Sequence, residues 1–172
     1  MVGRITLYHS KINDRISVGL DDRFHNDSEL ESNGAEVEWE QRIGEKFRWL
    51  ANVSYVDAMV HVPQEDTDHR VGGVANWLGN LAFFLQPFPK YMLTGRLLYV
   101  GDRYTVDGWV DGYEIVDFTV SRMDLFTKGL TLRAGVKNIF NDTIIYVNEY
   151  PDQINRDEYR GRTFWVQLSY EF

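Results

Sequence analysis

The side chains best equipped for chemistry stand in two acidic stretches. Asp21, Asp22, Asp27, Glu29 and Glu31 crowd one, and Glu65, Asp66, Asp68 and His69 the other. Calcium takes carboxylate oxygens, so a loose site is conceivable in the first. The spacing does not match the regular calcium loop, however, and a solvated acidic loop accounts for it more simply. The second stretch is read the same way. The histidines are His9, His25, His61 and His69. None has HExxH spacing, which would put two imidazoles on one helix face around zinc. Ser, His and Asp are present, but nothing groups them into a nucleophilic triad. Asp142, after Asn138-Ile139-Phe140, could serve as an acid. More simply, Asn141 and Asp142 end a strand and open a loop, because short polar side chains bond their own backbone. Gly72-Gly73 and Gly101 precede no helix, so no phosphate cradle follows. The expectation is no catalytic residue, no metal and no cofactor. Tyr104, Trp109 and Tyr150 are different. They lie in long polar stretches, where exposed aromatics are costly unless they touch something, which makes them ligand-contact candidates.

Composition narrows the class. Cysteine is absent, which excludes disulfides and thiolate metal sites. A net charge of -8 argues against a nucleic-acid partner. Mean hydropathy is -0.37, and no stretch approaches the ~20 apolar residues of a spanning helix. A transmembrane barrel stays open, because only every second strand residue must be apolar. Met1-Val2-Gly3-Arg4 runs into Ile5 without a basic-then-apolar signal segment. An outer-membrane protein needs such a signal, so a mature product, a truncated chain or a piece of something longer is expected.

The elements that would position these residues are strands. Phe164, Val166, Leu168, Tyr170 and Phe172 share one face; Thr163, Gln167, Ser169 and Glu171 share the other, where Trp165 is the lone apolar member. The same alternation places strands at 4–13, 34–43, 47–57, 74–86, 90–100, 113–122, 129–139 and 162–172. The fold class is therefore all-β, an antiparallel meander of about eight strands. Its polar face carries Glu36, Glu38, Glu40, Arg48, Arg96, Asp117, Arg133 and Lys137, too many charges for the inside of a small sandwich. Either that face meets bulk water over a soluble core, or it lines a wet lumen while the apolar face meets lipid.

The connections favour the second. Ile43 to Lys46, Gln86 to Lys90 and Met123 to Lys128 are tight turns; Asp14 to Asn33, Ala58 to Gly73, Gly101 to Gly112 and Ile145 to Gly161 are long and polar. Short and long alternate, as in a barrel with a periplasmic rim and an outer rim. Trp39, Trp49, Trp77, Tyr91, Tyr99, Tyr170 and Phe172 then read as interfacial anchors on the lipid face.

Leu130-Thr131-Leu132-Arg133-Ala134-Gly135-Val136-Lys137-Asn138-Ile139-Phe140-Asn141-Asp142, then Tyr146, Gly161-Arg162-Thr163-Phe164 and the terminal Phe172, resemble the C-terminal end of TonB-dependent outer-membrane receptors. Asn33-Gly34-Ala35-Glu36-Val37-Glu38, Val53-Ser54-Tyr55-Val56-Asp57-Ala58, Tyr99-Val100-Gly101-Asp102-Arg103-Tyr104 and Tyr113-Glu114-Ile115-Val116-Asp117 follow the family's order. The resemblance covers nearly the whole chain. Family members carry a plug inside a barrel of about twenty-two strands. The resemblance therefore implies that 1–172 is the C-terminal part of a receptor barrel, with the plug and the earlier strands absent. It implies import of a scarce nutrient chelate such as a ferric siderophore, an outer-membrane location, outer-membrane lipid and TonB as partners, and no enzymatic activity. It implies also that Phe172 is part of the signal read by the barrel-assembly machinery. An eight-strand slice either closes into a small barrel or stays open, and its edges then invite pairing with a second copy. The alternative is a small eight-stranded outer-membrane barrel with a structural, binding or enzymatic role.

Overall fold

Alternating side chains along so many short segments can be satisfied only by laying strands side by side, and the computed structural model does so. It describes residues 1–18, 23–62, 67–105, 108–145 and 161–172. The strands are β1 (Val2–Val18), β2 (Phe24–Ile43), β3 (Phe47–Val62), β4 (Thr67–Arg70), β5 (Trp77–Leu85), β6 (Tyr91–Val100), β7 (Arg103–Thr105), β8 (Gly108–Val110), β9 (Tyr113–Arg122), β10 (Leu130–Lys137) and β11 (Thr163–Tyr170). The main sheet runs β1-β2-β3-β5-β6-β9-β10-β11, every pair antiparallel, with β4 as an extra strand on β3 and β7–β8 as a separate hairpin. The sheet is open: β1 and β11 are its edges.

Cross-strand register fixes the two faces. On one, Phe47, Leu85 and Leu93 align, as do Ala51, Leu81, Leu97 and Val116, and Phe83, Gly95, Phe118, Val136 and Phe164. The other face collects Glu38, Asn52, Asn80 and Leu98 in one row, and Glu40, Leu50, Ala82, Arg96 and Asp117 in the next. Nothing among the described residues covers the apolar face. Among the described residues only Ala75, Val100 and Ile144 are buried apolar side chains, whereas Ile5, Leu7, Phe164, Val166 and Leu168 are exposed. A soluble core would bury these residues, since each buried aliphatic or aromatic side chain stabilises by roughly 1.5–3 kcal/mol.

Three expected loops are partly strand. The stretch from Asp14 to Asn33 is mostly the continuation of β1 and β2, with Ile12 opposite Leu30 and a bulge between Ile12 and Ile16. At that bulge Asp14 has a φ of 55°, and the buried Ser28 Oγ donates to the Arg15 carbonyl at 3.1 Å. From Ala58 to Gly73, β3 continues to Val62 and β4 returns along it. From Gly101 to Gly112 lies the β7–β8 hairpin. The physical reason is shared. Where both faces meet water, apolar alternation disappears, and an extended segment looks like a loop in sequence.

The five glycines of the main sheet each face an aromatic partner: Gly3 and Trp39, Gly34 and Tyr8, Gly79 and Tyr99, Gly95 and Phe83, Gly135 and Trp165. A ring lying over a glycine covers backbone that has no side chain of its own. This accounts for Trp165 on an otherwise polar face. A Cβ added at Gly135 would sit 2.7 Å from the Phe118 carbonyl oxygen and 2.8 Å from the Trp165 ring, whereas the nearest atoms to one at Gly95 all belong to the Phe83 ring. Rings swing aside; a paired strand's carbonyl does not. Gly135→Ala is therefore expected to cost about 1–2 kcal/mol in urea unfolding, unrelieved by Trp165→Ala, and Gly95→Ala less than about 0.5 kcal/mol. Equal costs would contradict the backbone clash.

The short-turn rim is closed by local bonds. Asp124, at a φ of 52°, accepts from the Gly129 N–H at 2.8 Å and pairs with Lys90 at 3.2 Å. The Gly129 N–H, and then Lys90, hold its carboxyl below its ordinary value of 3.8. Because the folded value is lowered, this support is complete above the ordinary range and is lost as pH falls through the lowered value. The Gly129 amide resonance should titrate with a midpoint below 3.8; a midpoint at or above it would exclude the bond.

Candidate functional site

The apolar face ends abruptly toward the long-loop rim. On β1 it passes from Leu7 to His9, on β2 from Ala35 to Asn33, and on β3 from Tyr55 to Asp57. These changes fall in one register, because Leu7, Ala35 and Tyr55 are mutual cross-strand partners and so are His9, Asn33 and Asp57. Trp77 extends the last apolar row opposite Tyr55, their rings 4.8 Å apart. The switch recurs at Val116 to Glu114 on β9 and at Val136 to Asn138 beyond β10. Tyr91 and Tyr99 lie eight residues apart on the same face of β6, or about 26 Å along the strand. Such a span is about the length of a tilted strand crossing a membrane, roughly 9–11 residues, with aromatic girdles at its edges.

Above the switch the same face becomes a lattice of charges. Lys11 Nζ pairs with Glu29 at 2.8 Å, His61 Nδ1 with Asp68 at 2.9 Å, Arg70 with Asp57 at 3.4 Å, and His9 Nδ1 bonds Asn33 Oδ1 at 2.8 Å. The hydrogen bond and charge of Glu29 raise the Lys11 ammonium above its ordinary value, and Lys11 lowers Glu29. Glu29 and Glu31, which the sequence puts in an acidic loop, thus stand on β2 with basic neighbours. Among the described residues no three His, Asp or Glu side chains converge as a metal site. Asp21, Asp22, Glu65 and Asp66 lie outside the described residues, and so does Tyr150.

All eight charged candidates, Glu36, Glu38, Glu40, Arg48, Arg96, Asp117, Arg133 and Lys137, stand on the face opposite the apolar one. The glutamates of β2 are partly matched: Arg4 pairs with Glu38 at 3.2 Å, and Arg48 with Glu40 at 2.9 Å. These are exposed pairs and contribute little stability. Their value is positional, since a wall of fixed charge needs water or a polar partner before it.

At the long-loop rim, Tyr104 and Trp109 are direct partners across the β7–β8 hairpin, with ring centroids 5.6 Å apart. Trp109 is 60% exposed. The hairpin is held by the Thr105 hydroxyl donating to the Gly108 carbonyl and by the Gly73 N–H donating to the Tyr104 carbonyl. Sequence reasoning missed Arg103. It is buried, stacks its guanidinium 5.4 Å from the Tyr113 ring, and leaves Nε and Nη2 without a hydrogen bond. An arginine inside a polar stretch carries no signal that would mark it as buried. Phe172, at the opposite rim, is exposed, its ring 5.1 Å from Tyr170.

Comparison with known proteins agrees with this geometry. The family model described as TonB dependent receptor-like, beta-barrel matches residues 2–139. Among solved structures, the ferric-catecholate import receptor Fiu of E. coli aligns over 99% of this chain and 25% of its own, at 16% identity and a TM-score of 0.74. The siderophore receptor PiuA of Acinetobacter baumannii aligns over 98% of this chain and 26% of its own, at 14% identity and a TM-score of 0.75. A variant of the ferric enterobactin receptor PfeA of Pseudomonas aeruginosa aligns over 99% and 29%, at 16% identity and a TM-score of 0.68. The chain thus spans about a quarter of the length of the solved structures it matches. A comparison with curated proteins finds no match.

Proposed function

The chain belongs to the TonB-dependent receptor β-barrel family and is an outer-membrane protein, and from that premise we propose that residues 1–172 are the C-terminal part of a receptor barrel importing a scarce nutrient chelate of the ferric-siderophore kind. The observation that carries this reading is the single row at which β1, β2 and β3 together turn from apolar to polar. A flat boundary crossing separate strands is what a lipid–water interface imposes; a protein core has no need of one. In this reading the apolar face meets outer-membrane lipid, and Glu36, Glu38, Glu40, Arg48, Arg96, Asp117, Arg133 and Lys137 face the lumen. Tyr104, Trp109 and Tyr150 contact the incoming chelate, and Phe172 belongs to the segment read by the assembly machinery. The role is transport, with TonB as the energising partner, rather than catalysis. An open sheet encloses no passage, so the 172 residues alone are not expected to import anything, and their edges β1 and β11 need other strands or a second copy.

The absence of cysteine makes the test direct. Single cysteines placed at 36, 37, 38 and 39, and at 116, 117, 118 and 119, should react with a water-soluble maleimide in intact outer membranes in strict alternation. Glu36→Cys, Glu38→Cys, Asp117→Cys and Thr119→Cys should label; Val37→Cys, Trp39→Cys, Val116→Cys and Phe118→Cys should not. Uniform labelling of both faces would sink the membrane reading.

A further inference from the structure

The polar face is not uniformly neutralised. On β2 the glutamates have Arg4 and Arg48 beside them. Across β6, β9 and β10 the balance is reversed. Arg96 faces Asp117 in direct register, and Lys137 ends β10. Among the described residues no hydrogen bond or ion pair engages the side chain of Arg96 or of Lys137. Asp117 lies between these strands, but its Oδ1 accepts from the Asn138 backbone N–H at 2.9 Å. Two cations and one engaged carboxylate therefore line a cavity of about 300 Å³, whose remaining wall includes Leu98, Ile115 and the buried Ile144.

The cavity is small, polar on one side and apolar on the other. Its volume is at the low end of small-molecule sites, roughly 300–1,000 Å³, which combine an apolar lining with a few convergent polar groups. Its lining carries one cation more than it has carboxylates, which favours an anionic occupant. A guanidinium offers two parallel donors to a carboxylate, and an ammonium adds a third from a flexible stem. We propose that this cavity is a binding site for a small amphipathic anion, a carboxylate on a compact apolar body. The charged end lies between Arg96 and Lys137, and the body lies against Leu98, Ile115 and Ile144. The proposal rests on the luminal reading of the polar face, because the anion must reach the site through water.

Benzoate is the probe, and benzamide its uncharged isostere, titrated by calorimetry into the detergent-solubilised protein that carries this chain. Benzoate should bind saturably and benzamide about tenfold more weakly. Arg96→Gln and Lys137→Gln should each weaken benzoate about fivefold, and Arg96→Lys should restore part of the loss. Arg133→Gln, on the same face but outside the cavity, should change binding less than about twofold. No saturable benzoate binding, equal affinity for benzamide, or an equal loss in Arg133→Gln would each overturn the site. Heat-modifiable gel mobility of every variant shows whether it has folded. Maleimide labelling of Lys137→Cys separates the two readings. If the reagent reaches residue 137 and benzoate does not bind, the cavity proposal alone fails; if it does not reach, the luminal reading fails with it.

Discussion

Phe118→Arg should lower the unfolding free energy of the vesicle-folded protein by about 2–4 kcal/mol, while Thr119→Arg, one residue further on, should change it by less than about 0.5 kcal/mol. Phe118 belongs to the row Phe83, Gly95, Phe118 and Val136. Gly95 is four residues from Tyr91 and four from Tyr99, so this row lies midway between the two aromatic edges of β6. A cation there must be held in hydrocarbon or drag water in with it. Thr119 points to the opposite face, between Thr94 and Gly135, where a charge stays wet. A soluble sheet packed on its apolar side would also penalise Phe118→Arg, so depth is the deciding arm. Tyr91→Arg lies on the same face at the short-turn edge, where Arg122 already stacks on the ring at 4.5 Å. It should cost only about 0–1 kcal/mol, because the penalty falls toward the interface. Similar costs for Tyr91→Arg and Phe118→Arg in phospholipid vesicles would contradict a membrane-embedded face.

The part of the fold that alternation could reveal is the part inside the apolar band. In the reading proposed above, one face there meets lipid, which rejects charge, so every second residue is constrained and the period of two is visible, as in β6, β9, β10 and β11. The expected eight-strand order follows from it, and the structure has that order in its main sheet. Beyond the band the constraint vanishes. His9, Lys11, Glu29 and Glu31 are as polar as any loop, yet they stand in paired strands. Their extension is set by backbone pairing, which leaves no side-chain signature. Trp165 illustrates a second limit. Its place on the polar face depends on Gly135 of a neighbouring strand, a relation that only the register supplies. Candidate site residues divide along the same line. The charged face was readable because its members alternate with apolar ones. The buried Arg103 and the pairing of Tyr104 with Trp109 depend on the β7–β8 hairpin, which the sequence does not announce. The two ends of β10 also differ in legibility: alternation marks the strand, but its stop is a hydrogen-bonding decision.

That stop is made by Asn138, and Asn138→Ala should cost about 2–4 kcal/mol. Sequence reasoning ran the strand to 139 and had Asn141 and Asp142 close it into the loop. The ladder in fact ends at Lys137, because Asn138 turns to a φ of 51° and its side chain is buried. Its amide does two things at once. Nδ2 donates to the Asp142 carbonyl at 2.8 Å, and Oδ1 accepts from the Asp142 N–H at 2.9 Å. The Asp142 carboxylate in turn accepts from the Glu114 N–H at 2.8 Å, tying this turn to the start of β9. Alanine removes both amide bonds, leaves the Asp142 backbone groups without them, and holds a Cβ in the left-handed region that asparagine tolerates better. Asn138→Gly separates the terms: it loses the bonds but not the backbone freedom, so about 1–2 kcal/mol is expected. Asn141→Ala is the milder comparison. Asn141 also has a positive φ, 60°, but its Oδ1 serves only the Arg162 N–H. Denaturant unfolding of the three variants should rank Asn138→Ala as most damaging, with Asn138→Gly and Asn141→Ala below it. If Asn138→Gly were as costly as Asn138→Ala, backbone conformation would contribute nothing, and the turn would be held by its hydrogen bonds alone.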